Sequence, residues 1–245
     1  MAETTSLFER ALALDPRSVE AESWVAYVLW LRVGSGSSES PAADLQRAEE
    51  LVGRALEASP RDWLAHFMKG NLLLRSQGRC EEAIPEFATA LALNRNWLHS
   101  LSQLAMCKIM TGSIEDAIPL LEQAIRLSPR DPQIRTFYNN MGIAHLLQSH
   151  IDEAILWFER ARGTAQFGWP YSFLAAIYGL RGQTDKAAAN LAEARRQYPN
   201  NYSSIARRKA AGLYSTPGYW GVPKVAALFE ATYFAGLRKA GVPEE

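Results

Sequence analysis

Paired carboxylates are the first residues in this 245-residue chain whose type and spacing could do chemistry: Glu81-Glu82, Glu115-Asp116 and Asp152-Glu153. Two adjacent acids suit general acid–base catalysis. Their recurrence argues for another role. They return once per repeating segment, each time at the expected start of a helix, where acidic side chains favour the helix dipole and its free N–H groups. The other reactive residues form no constellation. His66, His99, His145 and His150 show no His-x3-His spacing, and Cys80 and Cys107 form no Cys-x2-Cys pair, so no metal site is expected. No Gly-x-Ser-x-Gly is present, and no thiol has a recognisable base beside it. Gly34-Ser35-Gly36 is not a phosphate cradle, since no Gly-Lys-Ser/Thr follows it. No Rossmann pattern appears, and no cofactor and no catalytic residue are expected.

Lys plus Arg equals Asp plus Glu, 26 of each, so the formal net charge is zero. That balance speaks against a nucleic-acid or anionic-membrane partner. No run approaches the ~18 apolar residues of a membrane span. MAETTSLFER has neither the basic start nor the apolar core of a secretory leader, which points to a cytoplasmic chain with reduced thiols. Asn201-Tyr202-Ser203 has the form of a glycosylation acceptor, without meaning in that setting.

The elements that must position any site follow from a recurring pair of small residues. Ala-x3-[apolar]-x2-Ala returns at Ala48/Val52/Ala55, Ala83/Phe87/Ala90, Ala117/Leu121/Ala124, Ala154/Phe158/Ala161 and Ala187/Leu191/Ala194. Five residues after each second alanine stand Pro60, Arg95, Pro129, Gln166 and Pro199. Phe8/Ala11/Pro16 is an incomplete sixth instance. The second alanines lie 44, 35, 34, 37 and 33 residues apart. Ahead of each complete instance runs a first helix with a small residue at its centre: Ala26, Gly70, Ala105, Gly142 and Ala175. Prolines in Asp15-Pro16-Arg17-Ser18, Ser59-Pro60-Arg61-Asp62 and Ser128-Pro129-Arg130-Asp131 end the hairpins, because proline cannot continue a helix. A period near 34 built of helical hairpins resembles the tetratricopeptide repeat. The resemblance covers roughly residues 4–199 and implies an all-α, right-handed solenoid, a non-catalytic fold that binds proteins.

Residues 1–199 thus read as a lone second helix plus five hairpins, with an inserted polar loop at 35–44, and 200–245 as C-terminal capping helices. Residues 4–16 match a second helix without its first, so the array begins mid-unit or continues a longer chain. After Pro199 the pattern stops. A basic helix (Arg207, Arg208, Lys209), a Gly/Pro/aromatic link containing Tyr214, Pro217, Tyr219 and Trp220, and a final helix from Pro223 follow. Solenoid ends need covering, so this tail is expected to cap the last hairpin; its other possible seat is the groove.

In such arrays the first helices line the concave side. Residues one turn off the buried stripe should face it: Tyr27, Trp30, Phe67, Asn71, Arg75, Met106, Ile109, Met110, Asn139, Ile143, Leu147 and Trp169. This apolar and aromatic set with a few amides suits a protein or peptide partner, in particular a helix. Packing against neighbouring helices accounts for the same residues equally well. Chaperone-binding relatives clamp a carboxylate with lysines and asparagines; only Asn71 corresponds, with Arg75 in place of one lysine.

Three blocks resemble a narrower family. They are Asp44–Val52 (DLQRAEELV), the segments Met110–Glu115 (MTGSIE) and Gln123–Asp131 (QAIRLSPRD), and the closing Tyr202–Arg207 (YSSIAR) with Phe229–Gly241 (FEATYFAGLRKAG). These look like the C-terminal repeat region of rhizobial class III adenylate/guanylate cyclases. The resemblance implies a regulatory region in cyclic-nucleotide signalling. The cyclase domain that precedes such repeats has no counterpart here, so no catalytic residue carries over.

If the repeat register is right, Ala124→Trp or Ala161→Trp overpacks a helix contact and costs on the order of 1–3 kcal/mol. Both variants should melt at lower temperature than the parent chain; unchanged melting of both contradicts the register.

Overall fold

A computed structural model describes residues 2–75, 78–164, 169–213 and 216–245. Gln166 and Tyr214, singled out in the sequence, lie outside these. The described residues are helical, with no strand among them beyond an isolated bridge between Leu213 and Thr216. The chain divides into two compact units, residues 1–100 and 101–245.

Unit 1 contains α1 (Ala2–Leu14), α2 (Val19–Gly34), α3 (Pro41–Ala58), α4 (Trp63–Arg75), α5 (Cys80–Leu93) and the start of α6 (Leu98–Met110). The hairpins α2/α3 and α4/α5 hold its most extensive contacts, with α3 on α4 and α2 on α4 between them. The sequence placed a flexible loop over 35–44. The structure ends the link at Ser40 and starts α3 at Pro41. Proline at the first helical position has a preset φ and loses no needed hydrogen bond. Asp44 then sits in the first turn and pairs with Arg32 at 3.6 Å. The Ser-Pro-Arg-Asp turn joins two helices through its last residue. Asp62 accepts from the Ala65 amide at 2.7 Å, capping α4, and from the Ser23 hydroxyl at 2.8 Å, tying α4 to α2.

Unit 2 holds the rest of α6, then α7 (Ile114–Leu127), α8 (Ile134–Leu147), α9 (Ile151–Thr164), α10 (Trp169–Leu180), α11 (Thr184–Gln197) and α12 (Ile205–Ala211). A last helix follows in three joined segments: α13 (Pro223–Phe229), a π turn (Glu230–Phe234) and α14 (Ala235–Lys239). The carboxylate pairs fall in the first turns of α5, α7 and α9. First helices close with a left-handed residue: Gly78, Gly112 and Gly182, with Ser149 in the same role at φ 63°.

What holds each hairpin is a contact between a small residue on the first helix and an apolar anchor on the second. The anchors Val52, Phe87, Leu121, Phe158 and Leu191 are buried, as is every alanine flanking them. The corresponding Ala11 of α1 is exposed. Gly70 lies under Phe87 so closely that a Cβ there would stand 2.6 Å from the ring; at Gly142 it would stand 2.7 Å from Phe158. Both rings are fully buried and have no room to withdraw. The sequence follows the same rule in all five hairpins. A phenylalanine anchor accompanies glycine, whereas Val52, Leu121 and Leu191 accompany Ala26, Ala105 and Ala175.

The rule predicts a compensating pair. Gly142→Ala alone should cost about 1–3 kcal/mol by overpacking. With Phe158→Leu added, the hairpin acquires the alanine–leucine combination found elsewhere, and the double variant should be more stable than the sum of the single losses. Strict additivity in denaturant titrations argues against direct coupling.

Candidate functional site

The first-helix positions expected to face a groove fall into two sets, one in each unit. In unit 1, Tyr27 and Trp30 of α2 and Arg75 of α4 are half-buried, while Phe67 and Asn71 are buried. The Asn71 amide donates to the Phe67 carbonyl at 2.8 Å, one turn back along its own helix. Phe67 and Tyr27 face each other at 6.4 Å, so α2 and α4 present one continuous wall. Tyr27 also stacks on Trp30, at 6.3 Å.

Three tryptophans that the sequence reading left out complete this wall. Trp97, just before α6, lies 4.9 Å from Trp63, 5.6 Å from Phe67, 5.9 Å from Tyr27 and 6.4 Å from Trp24. Trp24 in turn stacks on Phe8 of α1 at 5.4 Å. One signal was available: Trp63 and Trp97 are a repeat period, 34 residues, apart. Most of these rings meet edge to face or tilted, arrangements that aromatic quadrupoles prefer. Trp24, Tyr27, Trp30, Trp63 and Trp97 each keep part of their surface open.

Several charges of unit 1 are paired across helices. Glu22 meets Arg54 at 2.7 Å, and Glu86 meets both Lys69 at 2.7 Å and His66 at 2.6 Å. Burial works against ionisation of Glu86, yet its hydrogen bonds to Lys69 and His66 win and hold the carboxyl below its usual range. Arg75 differs. Partial burial lowers its pKa, and no carboxylate among the described residues pairs with it.

In unit 2 the candidate positions lie in the interior. Met106, Ile109, Met110, Asn139, Ile143 and Leu147 are buried, and only Trp169 keeps partial exposure. The chain's own C-terminal segment covers this face. Its π turn and α14 pack along α10, and α13 reaches α8. The Val222 amide donates to the Met110 carbonyl at 2.9 Å, at the end of α6. Contact with α10 runs through Ser172, Ala176 and Gly179, the inward stripe of that helix. Gly236 meets the Ala176 backbone so closely that a Cβ would stand 2.2 Å from its carbonyl oxygen. The tail packs mainly on α10, the first helix of the last hairpin, where glycine at 236 and at 179 lets its helix lie directly on the neighbour, and it also reaches α8 and the end of α6.

A buried cation fixes this seat. Arg208 of α12 is 4% exposed and, among the described residues, pairs with no carboxylate. Its Nε donates to the Tyr233 hydroxyl at 3.0 Å, and its Nη1 donates to the Gly212 carbonyl at 2.9 Å. Its guanidinium lies 4.6 Å from the Trp220 ring, 5.6 Å from Tyr202 and 5.7 Å from Tyr233. Ring quadrupoles thus replace a counter-ion. Tyr233 passes the network on, donating to the Ser172 hydroxyl at 3.0 Å. Burial, with Tyr233 adjacent, pushes the Tyr202 phenol up, so it stays neutral.

No group of three or more His, Cys, Asp or Glu side chains among the described residues converges as a metal site. Cys80 and Cys107 are buried and form no disulfide. No described helix is long and apolar enough to cross a membrane.

Family models described as tetratricopeptide repeat match residues 36–97, 97–166 and 174–201, together more than half of the chain. The chain is a tetratricopeptide repeat protein. It is 32% identical over 73 residues to tetratricopeptide repeat protein 21B of Xenopus laevis, a match covering 30% of this chain and 5% of that relative. It is 25% identical over 116 residues to the BBSome complex member BBS4 of Bos taurus, covering 47% of this chain and 22% of the relative. The chain therefore spans only a small part of the relatives it matches. Among solved structures, the thermophilic tetratricopeptide protein TTC0263 of Thermus thermophilus superposes with a TM-score of 0.60 over 78% of this chain and 95% of that one, at 20% identity.

The Arg208–Tyr233–Ser172 chain is directly testable. Tyr233→Phe leaves buried donors and acceptors without partners and should cost about 1–3 kcal/mol. Adding Arg208→Met removes one of the stranded groups, so the double variant should lose less than the sum of the two single losses. An unchanged melting temperature for Tyr233→Phe contradicts the network.

Proposed function

We infer that this chain is a non-catalytic scaffold that binds a protein or peptide, and that its docking surface is the aromatic wall of unit 1. One observation carries the reading: Tyr27, Trp30 and the neighbouring tryptophans stay partly open on the side where repeat arrays present their binding surface. Large rings held at a water interface are what hot spots are made of, since they bring much apolar area and little rotamer entropy. The equivalent wall of unit 2 has a different use, because the tail already lies on it.

The three sequence blocks support a second reading, in which the chain is a regulatory region of a class III nucleotide cyclase. The two readings are compatible, since regulation by such a region would act through protein contact.

Selection of a displayed peptide library on the whole chain tests the first reading. Binders should alter tryptophan fluorescence, and Tyr27→Asp with Trp30→Asp should abolish their binding while leaving the helical circular dichroism intact. Equal binding by that variant places the partner site elsewhere. For the second reading, the isolated chain should form no cyclic product from ATP or GTP with divalent metal present, but should change the activity of an added class III catalytic domain.

A further inference from the structure

A second surface of unit 1 shares no residue with the aromatic wall. A cavity of about 510 Å³ is lined by residues of α3 and α4 and by Arg79, with Leu56, Leu72 and Leu73 as its apolar part. Gly53, in the middle of α3, lies in this lining and is exposed. Glycine inside a helix is destabilising, because it gives up more backbone freedom than any other residue. Elsewhere inside the helices of this chain it has a packing reason. Gly70 and Gly142 receive Phe87 and Phe158, and Gly179 and Gly236 bring two helices together. At Gly53 a Cβ would meet nothing within 4 Å. Gly34 and Gly163, equally open, stand at the ends of their helices. The repeat does not require glycine at this point either: the residue after the anchor is Ala88, Glu122, Glu159 or Ala192 in the other second helices.

The charges around the cavity are unevenly satisfied. Lys69 pairs with Glu86, and Arg79 with Glu82. Glu49 and Glu57 are exposed and join no ion pair among the described residues, Glu49 acting on Arg79 through its field alone. They stand four residues before and after Gly53, about 6 Å to either side along α3.

We propose that this cavity docks a basic amphipathic helix of a partner protein, with a phenylalanine seated on Gly53 and a lysine or arginine one turn to either side paired with Glu49 and Glu57. The ring rests on the α3 backbone as Phe87 rests on Gly70 and Phe158 on Gly142. The Glu-x3-Gly-x3-Glu pattern reads the same in both directions, so the partner helix fits either way round. This site does not depend on the role of the aromatic wall.

Three labelled, alanine-rich, helix-forming peptides of eighteen residues test this on the whole chain by fluorescence anisotropy. The first has a central phenylalanine, leucines three residues to either side and lysines four residues to either side. The second has leucine for the phenylalanine, and the third glutamine for the lysines. The first peptide should bind about tenfold more tightly than either of the others. Gly53→Ala should melt about 2–4 °C higher, since alanine suits an exposed helix better. It should nonetheless bind the phenylalanine peptide about tenfold more weakly, and no longer prefer it to the leucine peptide. Glu49→Gln with Glu57→Gln should erase the advantage of lysine over glutamine, and Tyr27→Asp with Trp30→Asp should change nothing. A lower melting temperature for Gly53→Ala overturns the proposal, because the glycine would then serve the fold itself. So does absence of binding, equal binding of the phenylalanine peptide by Gly53→Ala, or loss of binding in the Tyr27/Trp30 variant. Equal affinity for the lysine and glutamine peptides overturns the basic character of the partner.

Discussion

Close approach of two helices at a residue without a large side chain is the constraint on which this molecule depends. A tetratricopeptide hairpin buries its apolar stripe only if its helices lie near enough for an anchor on one to fill the groove of the other. Gly70 beneath Phe87 and Gly142 beneath Phe158 show how little slack remains, since a single added carbon would enter the ring's van der Waals envelope. Where the first helix carries alanine, the anchor is a smaller valine or leucine. The sum of the two volumes is what is held, as close packing requires.

The same device recurs where no repeat exists. The C-terminal helix lies on α10 through Gly236 and Gly179, with backbone nearly touching backbone. It thus treats the inward face of the last first helix as a partner helix would. Its hold is polar as well as apolar. Arg208 is buried without a carboxylate among the described residues, a state that is costly unless other groups solvate the charge. Three aromatic rings, a phenol and a carbonyl do so, and they come from the chain around α12, the link and the π turn. The π turn sets the phase of Tyr233 so that its hydroxyl meets both Arg208 and Ser172. These contacts make the segment part of the unit 2 interior.

The two units consequently differ in what they offer a partner. Unit 2 uses its inward face to hold the chain's own end. Unit 1 gathers rings from α1, α2, α4 and the residue before α6, and leaves their rims and Arg75 at the surface.

The sequence by itself determined the repeat. Alanine spacing, proline turns and carboxylate pairs are signals a helix carries within itself or shares with its immediate neighbour, and they located the hairpins, the helix starts and the buried anchors. It also named Tyr27, Trp30 and Arg75 as facing residues, because helical phase is local. Tertiary structure decided which of the facing residues remain accessible. Met106, Ile143 and Leu147 have the right phase, but they are buried in a unit whose inward face is covered by a segment from the far end of the chain. Ser172 and Tyr233 are 61 residues apart, and no periodicity links them. The convergence of Trp24, Trp63 and Trp97, and the rings around Arg208, likewise follow from how helices stack. Such contacts are set by shape and volume across the fold, which a pattern of spacing along one helix does not encode.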